Sequence, residues 1–586
     1  MDLTDMQVLA TAGHVDHGKS TLVRALTGME PDRWEEERRR GLTIDLGFAW
    51  TTLPSGRVLA VVDVPGHERF VGNMLAGVGS VPAALVVVAA DDGWSAQTEE
   101  HVAVLDALGV RHGLLAVTKA DVADPAAVLA DARARLAATS LGEVLAVAVS
   151  ARTGAGMPAF TAALEAVLAG LPAPDRAAPV RLWVDRAFTI RGAGTVVTGT
   201  LAAGTVTAGD RFTLGDREVS VRGVQSLGRA VEGAAATARV ALNLRGIAVE
   251  EIGRGDALLT PGAFRTTSDV DVTLVHPAGD RLPAEAIVHV GSATVAARLR
   301  PLDDTAVRLR LTSPLPLRVG DRVLLRDPGA RRVLGADVRD VDPPELRRRG
   351  AARSRAAELA EHPAGEAGAL ADLARRRFVK RSDFVAMGWP VPAGATPVGP
   401  WLIAPGLADE LAARVPQVVA RYRQLRPLEP GPPTAVLRSA LELPDADLVP
   451  ALVRPPLSLR DGRVVSGSAG LPPAVQQAVD TIKARLAVDP FAAPEAPHLS
   501  AAGLGSRELA AAVRDEQLVR IAEGIYLLPG IADEARRRLA GLPAPFTLSQ
   551  ARQAWGTTRR VAVPLAEWLD ARGVTERLPD NSRRLR

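Results

Sequence analysis

Residues 13–21 read GHVDHGKST, with Gly13, Gly18, Lys19 and Ser20 at the spacing G-x-x-x-x-G-K-S. Two glycines let a short loop curl until its backbone N–H groups converge on phosphate oxygens. A lysine at this place reaches the β- and γ-phosphates, and the serine hydroxyl ligates Mg²⁺. The run QVLATAG before the loop is strand-like and the run after it is helical, which is the context such a loop needs; the helix N-terminus adds positive potential.

Further motifs follow in order. DVPGH (63–67) ends a strand-like run, so Asp63 is expected near Mg²⁺ through water, with the Gly66 amide at the γ-phosphate. TKAD (118–121) ends another. The Asp121 carboxylate can accept both hydrogens that guanine presents at N1 and N2; adenine offers no such pair, so the reading is GTP over ATP. Lys119 is expected along the base, and SAR, Ser150, Ala151 and Arg152, at guanine O6 through a backbone amide. In RRRGLTID (38–45), Thr43 can give a hydroxyl and a carbonyl to Mg²⁺ and the γ-phosphate. Loss of that phosphate would release the loop, which makes a two-state switch. His67 follows the γ-phosphate glycine within reach of an attacking water, so it is the candidate catalytic residue.

These residues need rigid elements behind them. Over 7–170, short β-branched apolar runs (RVLAVVD, AALVVVAA, GLLAVTK, VLAVAVS) alternate with helix-length segments. That pattern predicts an α/β, doubly wound domain. It ends at the linker LPAPDRAAP (171–179). From 180 to 342 short strands recur every eight to twelve residues, with a break at TPGAFRTTS (260–268), predicting two β-barrels. Beyond 345, helices alternate with Pro-rich turns and short hairpins, predicting tandem winged helices of the α+β class. The predicted boundaries are 1–172, 178–260, 264–342, 345–410, 411–470, 471–535 and 536–586.

Composition narrows the classes. There are 586 residues, 47% apolar, and no cysteine. Disulfide scaffolds, cysteine nucleophiles and Cys-ligated zinc or iron–sulfur sites are excluded. The N-terminus lacks a basic and apolar leader, and the run from Val81 to Ala90 is too short to span a bilayer. A cytoplasmic protein without a membrane partner is expected. The net charge is +3, of which residues 345–586 carry +8, leaving −5 on 1–344. A basic back half points to a polyanionic partner.

GHVDHGKST, RGLTID, DVPGHERF and TKAD together resemble the translational GTPases of the elongation factor Tu type. RLWVDRAFTIRGAGTVVTGTL (181–201), RVALNL (239–244) and the run from FTLSQARQAWG to the C-terminus (546–586) narrow this to a resemblance to the bacterial selenocysteine-specific elongation factor family. The resemblance covers nearly the whole chain. It implies a monomeric GTPase that binds selenocysteinyl-tRNA, reads an mRNA hairpin (SECIS) beside UGA codons, and hydrolyses GTP on the ribosome. It extends the phosphate-binding set to Asp16, His17 and Thr21, and implies a selenocysteinyl pocket at Asp185, Arg186 and Arg239. In TTRRVAVPLAEWLD (557–570) it implies a recognition helix led by Arg559 and Arg560, with Arg583 and Arg584 on the following wing; Trp568 is read as core. Thr118 stands where many GTPases carry Asn, which predicts a weaker tether in the guanine loop and rapid GDP release. The rival readings are another aminoacyl-tRNA-binding GTPase, of the general elongation or initiation type, and a GTP-sensing winged-helix regulator. The basic C-terminal extension argues against the first, and the intact Lys19, Thr43 and His67 against the second.

Overall fold

The computed structural model describes residues 6–31, 46–65, 74, 77, 81–192, 194–278, 282–327, 329, 332–361, 364–467 and 470–586. Thr43, Gly66 and His67 lie outside the described residues.

The first domain is a six-stranded sheet. Its strands are β1 (Met6–Ala12), β2 (Gly47–Thr52), β3 (Val58–Asp63), β4 (Ala83–Ala89), β5 (His112–Thr118) and β6 (Leu145–Ala148). Their order is β2-β3-β1-β4-β5-β6, with only β2 antiparallel to its neighbour. β3 and β4 are buried at every position, as strands covered on both faces must be. The helices are α1 (Lys19–Thr27), α2 (Ala96–Leu108), α3 (Ala126–Ala137) and α4 (Met157–Ala169). Helix α2 starts on Ser95, whose side chain accepts the Thr98 N–H, and stops on the left-handed Gly109. Gly13, Asp63, Thr118 and Ser150 all follow or end strands at one edge of the sheet, the carboxyl edge where open α/β sheets bind ligands.

The next domain is an eight-stranded sheet, ordered from Arg181–Trp183 through Ala257–Leu259, Arg211–Leu214, Arg217–Ser226, Ala238–Arg245 and Gly194–Leu201 to Arg186–Ile190, with Arg229–Val231 on its side. Its apolar residues Leu182, Val197, Phe212, Val221 and Leu242 join one buried cluster with Val62, Val86 and Leu105 of the first domain. The third domain is a closed six-stranded barrel over 265–340. Its register aligns Asp269, Arg310, Arg298 and Glu285 across neighbouring strands.

Two helices after the barrel, Ala351–Glu361 and Glu366–Arg376, are fixed to it by a buried ionic network. Arg355 donates to Asp271 (2.8 Å) and Asp340 (2.5 Å), Arg308 to Asp271 (2.7 Å), and Arg376 to Asp342 (2.5 Å). Such pairs hold only while every partner is present. The chain divides into compact units 1–395 and 396–586, so the division falls inside the segment 345–410 that the sequence predicts as one winged helix.

In the second unit, helices precede hairpins: Leu407–Leu425, Thr434–Ala440 and Val449–Leu452 before 457–466; Pro473–Val488, Ala496–Ala501 and Ser506–Arg514 before 519–527; Ile531–Leu539, Leu548–Trp555 and Arg559–Ala571 before 575–585. The last two sets share one apolar core, from Val479 to Leu569, in which Phe491 stacks on Trp555 at 6.0 Å. Trp568 is packed against that core. Among the described residues no helix is long and apolar enough to cross a membrane.

Candidate functional site

The loop between β1 and α1 is shaped by close approach. Gly13 has φ +137°, and a Cβ there would stand 2.2 Å from the Val87 carbonyl oxygen, so only glycine fits. Asp16 and Gly18 also take positive φ. The buried Lys19 arches back, donating to the Gly13 and His14 carbonyls at 3.0 and 2.9 Å. Its ammonium is thereby held over the loop whose amides are meant for phosphate. Thr21 is exposed on the first turn of α1.

The structure brings Ser20 and Asp63 together: Ser20 Oγ donates to Asp63 Oδ2 at 2.6 Å, and Thr11 Oγ1 to Oδ1 at 2.7 Å. Burial raises the Asp63 pKa against the opposing pull of Lys19, Ser20 and Thr11. A buried carboxylate beside a hydroxyl, with oxygen donors only, suits a hard divalent cation such as Mg²⁺.

At the guanine loop Arg152 grips Asp121 through Nε (2.9 Å) and Nη2 (2.7 Å). Hydrogen bonds from Ser150 and Arg152 lower the Asp121 pKa, so it stays an acceptor, and a carboxylate has lone pairs beyond those Arg152 takes. Lys119 is held by Asp91 at 3.0 Å. Ala151 follows the buried Ser150. At the position where a weaker tether is expected, Thr118 Oγ1 donates to the His17 carbonyl at 2.6 Å, joining the guanine loop to the phosphate loop.

The sequence alone missed the support behind the loop. His101 Nδ1, from α2, accepts the Gly13 N–H at 3.0 Å, and Gln97 meets His14. Burial, then Lys19 and His14, push the His101 pKa down to about 3. His17 is buried between the Val87 carbonyl (3.3 Å) and Asp92 (2.9 Å), and burial lowers its pKa. The available signal was Gln97 and His101, polar residues four apart on one helix face.

The three predicted pocket residues come together. Arg239 pairs with Asp185, which also accepts from Thr198 Oγ1 at 2.6 Å. Arg186 Nη2 donates to the Leu46 carbonyl at 2.6 Å. Arg186 and Arg239, but not Asp185, border a cavity of about 200 Å³ between the first and second domains, lined also by Phe48, Trp50 and Phe188.

The predicted RNA-facing arginines divide. Arg559 is exposed at the start of its helix, and Arg584 is exposed and paired with Glu576 at 2.8 Å. Arg583 is corrected: it is buried and donates to Asp570 at 2.9 Å, because alternate residues of a strand face opposite ways. Arg560 is exposed and donates to the Ala493 carbonyl at 2.6 Å.

Comparison with known proteins places the domains. The family model for the elongation factor Tu GTP binding domain matches residues 4–172, that for the selenocysteine-specific elongation factor beta-barrel domain matches 272–345, and that for the elongation factor SelB winged helix matches 537–585. The selenocysteine-specific elongation factor of Escherichia coli (strain K12) is 38% identical over 76% of this chain and 75% of its own. The crystal structure of a bacterial selenocysteine-specific elongation factor, EF-Sec, superposes with a TM-score of 0.78 over 99% of both chains at 26% identity. That of elongation factor SelB from Methanococcus maripaludis, in complex with the GTP analogue GppNHp, gives 0.51 over 58% of this chain and 79% of that one, at 26% identity. With a GTP-hydrolysing domain, two β domains and winged helices in this order, the chain belongs to the selenocysteine-specific elongation factors.

Proposed function

We propose that this factor, with GTP bound, captures selenocysteinyl-tRNA and delivers it to the ribosome at UGA codons marked by an mRNA hairpin, where hydrolysis is stimulated and the tRNA released. The observation that carries the reading is the cavity lined by Arg186 and Arg239 and bordered by the nucleotide domain, with Asp185 paired to Arg239 beside it. A selenol is ionised near neutral pH where a thiol mostly is not, and a guanidinium pocket favours that anion over a serine hydroxyl.

Lys19 neutralises the β- and γ-phosphates. Asp16, His17, Gly18 and Thr21 complete the phosphate loop, and Gly66 gives an amide to the γ-phosphate. Asp121, Thr118, Lys119 and residues 150–152 hold guanine. Ser20 and Thr43 ligate Mg²⁺, with Asp63 acting through water; the ion, when bound, neutralises charge on the phosphate oxygens. His67 orients the attacking water. Phosphoryl transfer needs mainly positioning and charge neutralisation, so hydrolysis stays slow until the ribosome completes this sparse set. Arg559 and Arg584 meet hairpin phosphates. Two attachments on one chain gain from effective concentration, which restricts delivery to marked codons. The factor acts as a cytoplasmic monomer.

The test is filter binding of the full chain to selenocysteinyl-tRNA, a general aminoacyl-tRNA, a UGA-proximal hairpin and duplex DNA, each with GTP and with GDP at fixed salt. GTP-dependent preference for the first, and nucleotide-independent binding of the third, are expected. Equal binding of both tRNAs sinks the specialised role. Single-turnover hydrolysis equally fast without ribosomes sinks the trigger.

A further inference from the structure

We infer that Asp92 is a positioning residue for base selectivity: by anchoring the His17 ring it holds the phosphate loop against the guanine loop, so that discrimination at Asp121 depends on a carboxylate outside both loops. The inference rests on the guanine reading given above and names a residue that reading does not use.

Asp92 lies in the turn after β4, which the Gly93 N–H closes on the Ala89 carbonyl at 2.9 Å. Its Oδ2 meets His17 Nε2 at 2.9 Å; the histidine side chain is 1% exposed and the carboxylate 55%. Burial lowers the His17 pKa, against the Asp92 hydrogen bond that raises it, so near pH 7 the ring is neutral and has one N–H to give. The Val87 carbonyl stands farther off, 3.3 Å from Nδ1. We assign the proton to Nε2, because the Asp92 oxygen is both closer and charged. A buried ring N–H needs such an acceptor.

His17 is where the two loops meet. Its carbonyl accepts Thr118 Oγ1 at 2.6 Å, and its neighbours Asp16 and Gly18 both take positive φ. A left-handed conformation at Asp16 costs energy that bonds around it must offset. The guanine loop is held by the same turn that carries Asp92. Ala90 donates its N–H to the Thr118 carbonyl at 2.9 Å, and Asp91 pairs with Lys119 at 3.0 Å. Three consecutive residues, 90 to 92, therefore grip the guanine loop twice and the phosphate loop once. Without its anchor at Asp92 the His17 segment is free to relax away from Thr118, and the loop leading to Asp121 loses one of its supports.

Selectivity is the property that registers this. Guanine differs from hypoxanthine by the exocyclic N2 amino group. Asp121 accepts from N1 and N2 in the reading above, so preference for a guanine nucleotide over a hypoxanthine one reports how well that carboxylate is placed. Its side chain is set by Arg152, and its backbone by the loop that begins at Thr118. A residue that only keeps the domain folded weakens both nucleotides alike when it is removed. A residue that positions the guanine loop changes their ratio.

The experiment uses the full chain and measures dissociation constants for GDP and for inosine diphosphate at pH 7.5. Wild type is compared with Asp92→Ala, Asp92→Asn, Thr118→Val and the double variant Asp92→Ala with Thr118→Val. Asp92→Ala should lower the preference for GDP by about fivefold. Asp92→Asn should retain it, because the amide oxygen still accepts the ring proton. The double variant should lose no more than the larger single loss, since both changes act through His17. Equal weakening of both nucleotides by Asp92→Ala, or losses that multiply in the double variant, overturns the role of Asp92. A wild-type ratio near one overturns the guanine reading, and this proposal with it.

Discussion

The Nδ1 atom of His101 accepts the backbone N–H of Gly13 at 3.0 Å, and both residues are buried. An amide of the phosphate loop is thus held from behind by a helix 88 residues away. The bond requires a neutral imidazole, since a protonated ring has no acceptor.

This bond predicts a pH dependence. The folded pKa of His101, about 3, lies below its unfolded value of 6.5. Between those values the unfolded chain binds the extra proton, so stability is fully present above pH 6.5 and is lost as pH falls toward 3. His101→Leu should flatten this slope. At pH 7.5 it should cost about 1–3 kcal/mol, because the Gly13 N–H stays buried without an acceptor. Denaturant unfolding at pH 5.5 and 7.5 measures both effects.

The Thr118 tether bears on nucleotide release. Thr118→Val removes the hydroxyl that reaches the His17 carbonyl. A net loss of about 0.5–1.5 kcal/mol follows, so GDP should leave up to about tenfold faster. A chase of fluorescent GDP measures the rate; an unchanged rate would mean the tether contributes nothing.

Gly13→Ala tests the shape of the phosphate loop. The added Cβ meets the Val87 oxygen in a conformation that L side chains rarely adopt. Strain of about 1–3 kcal/mol should appear as a loss of GTP affinity of tenfold or more, read by calorimetry. Gly18→Ala shares the strain of a positive φ, but its Cβ would meet only Thr118 at an ordinary 3.8 Å, so it should lose less.

The two arginine classes of the tail separate in one pair of variants. Arg559→Ala should weaken hairpin binding and reduce the salt slope by about one, with stability kept. Arg583→Ala removes the ion pair to Asp570 and leaves that carboxylate with the Thr575 hydroxyl, and should cost about 1–3 kcal/mol of stability. Thermal unfolding and a salt titration of RNA binding distinguish them. The fragment for such work begins near 471, since a tail cut at 540 would strip Trp555 of its stack on Phe491.

Local chemistry was legible in the sequence. Gly13, Lys19, Ser20 and Asp63 were found because a phosphate loop is a short-range device, in which residue type and spacing fix backbone shape directly. Strand–helix alternation fixed the first domain for the same reason, since burial on both faces dictates composition. Tertiary structure alone decided which like residues differ in role. Arg583 and Arg584 are neighbours with one composition, and strand alternation buries the first and exposes the second. His101 behind Gly13, and Asp92 beside His17, join residues far apart in the chain; no local pattern encodes such a meeting, because the packing of whole elements, not their own periodicity, brings the two together.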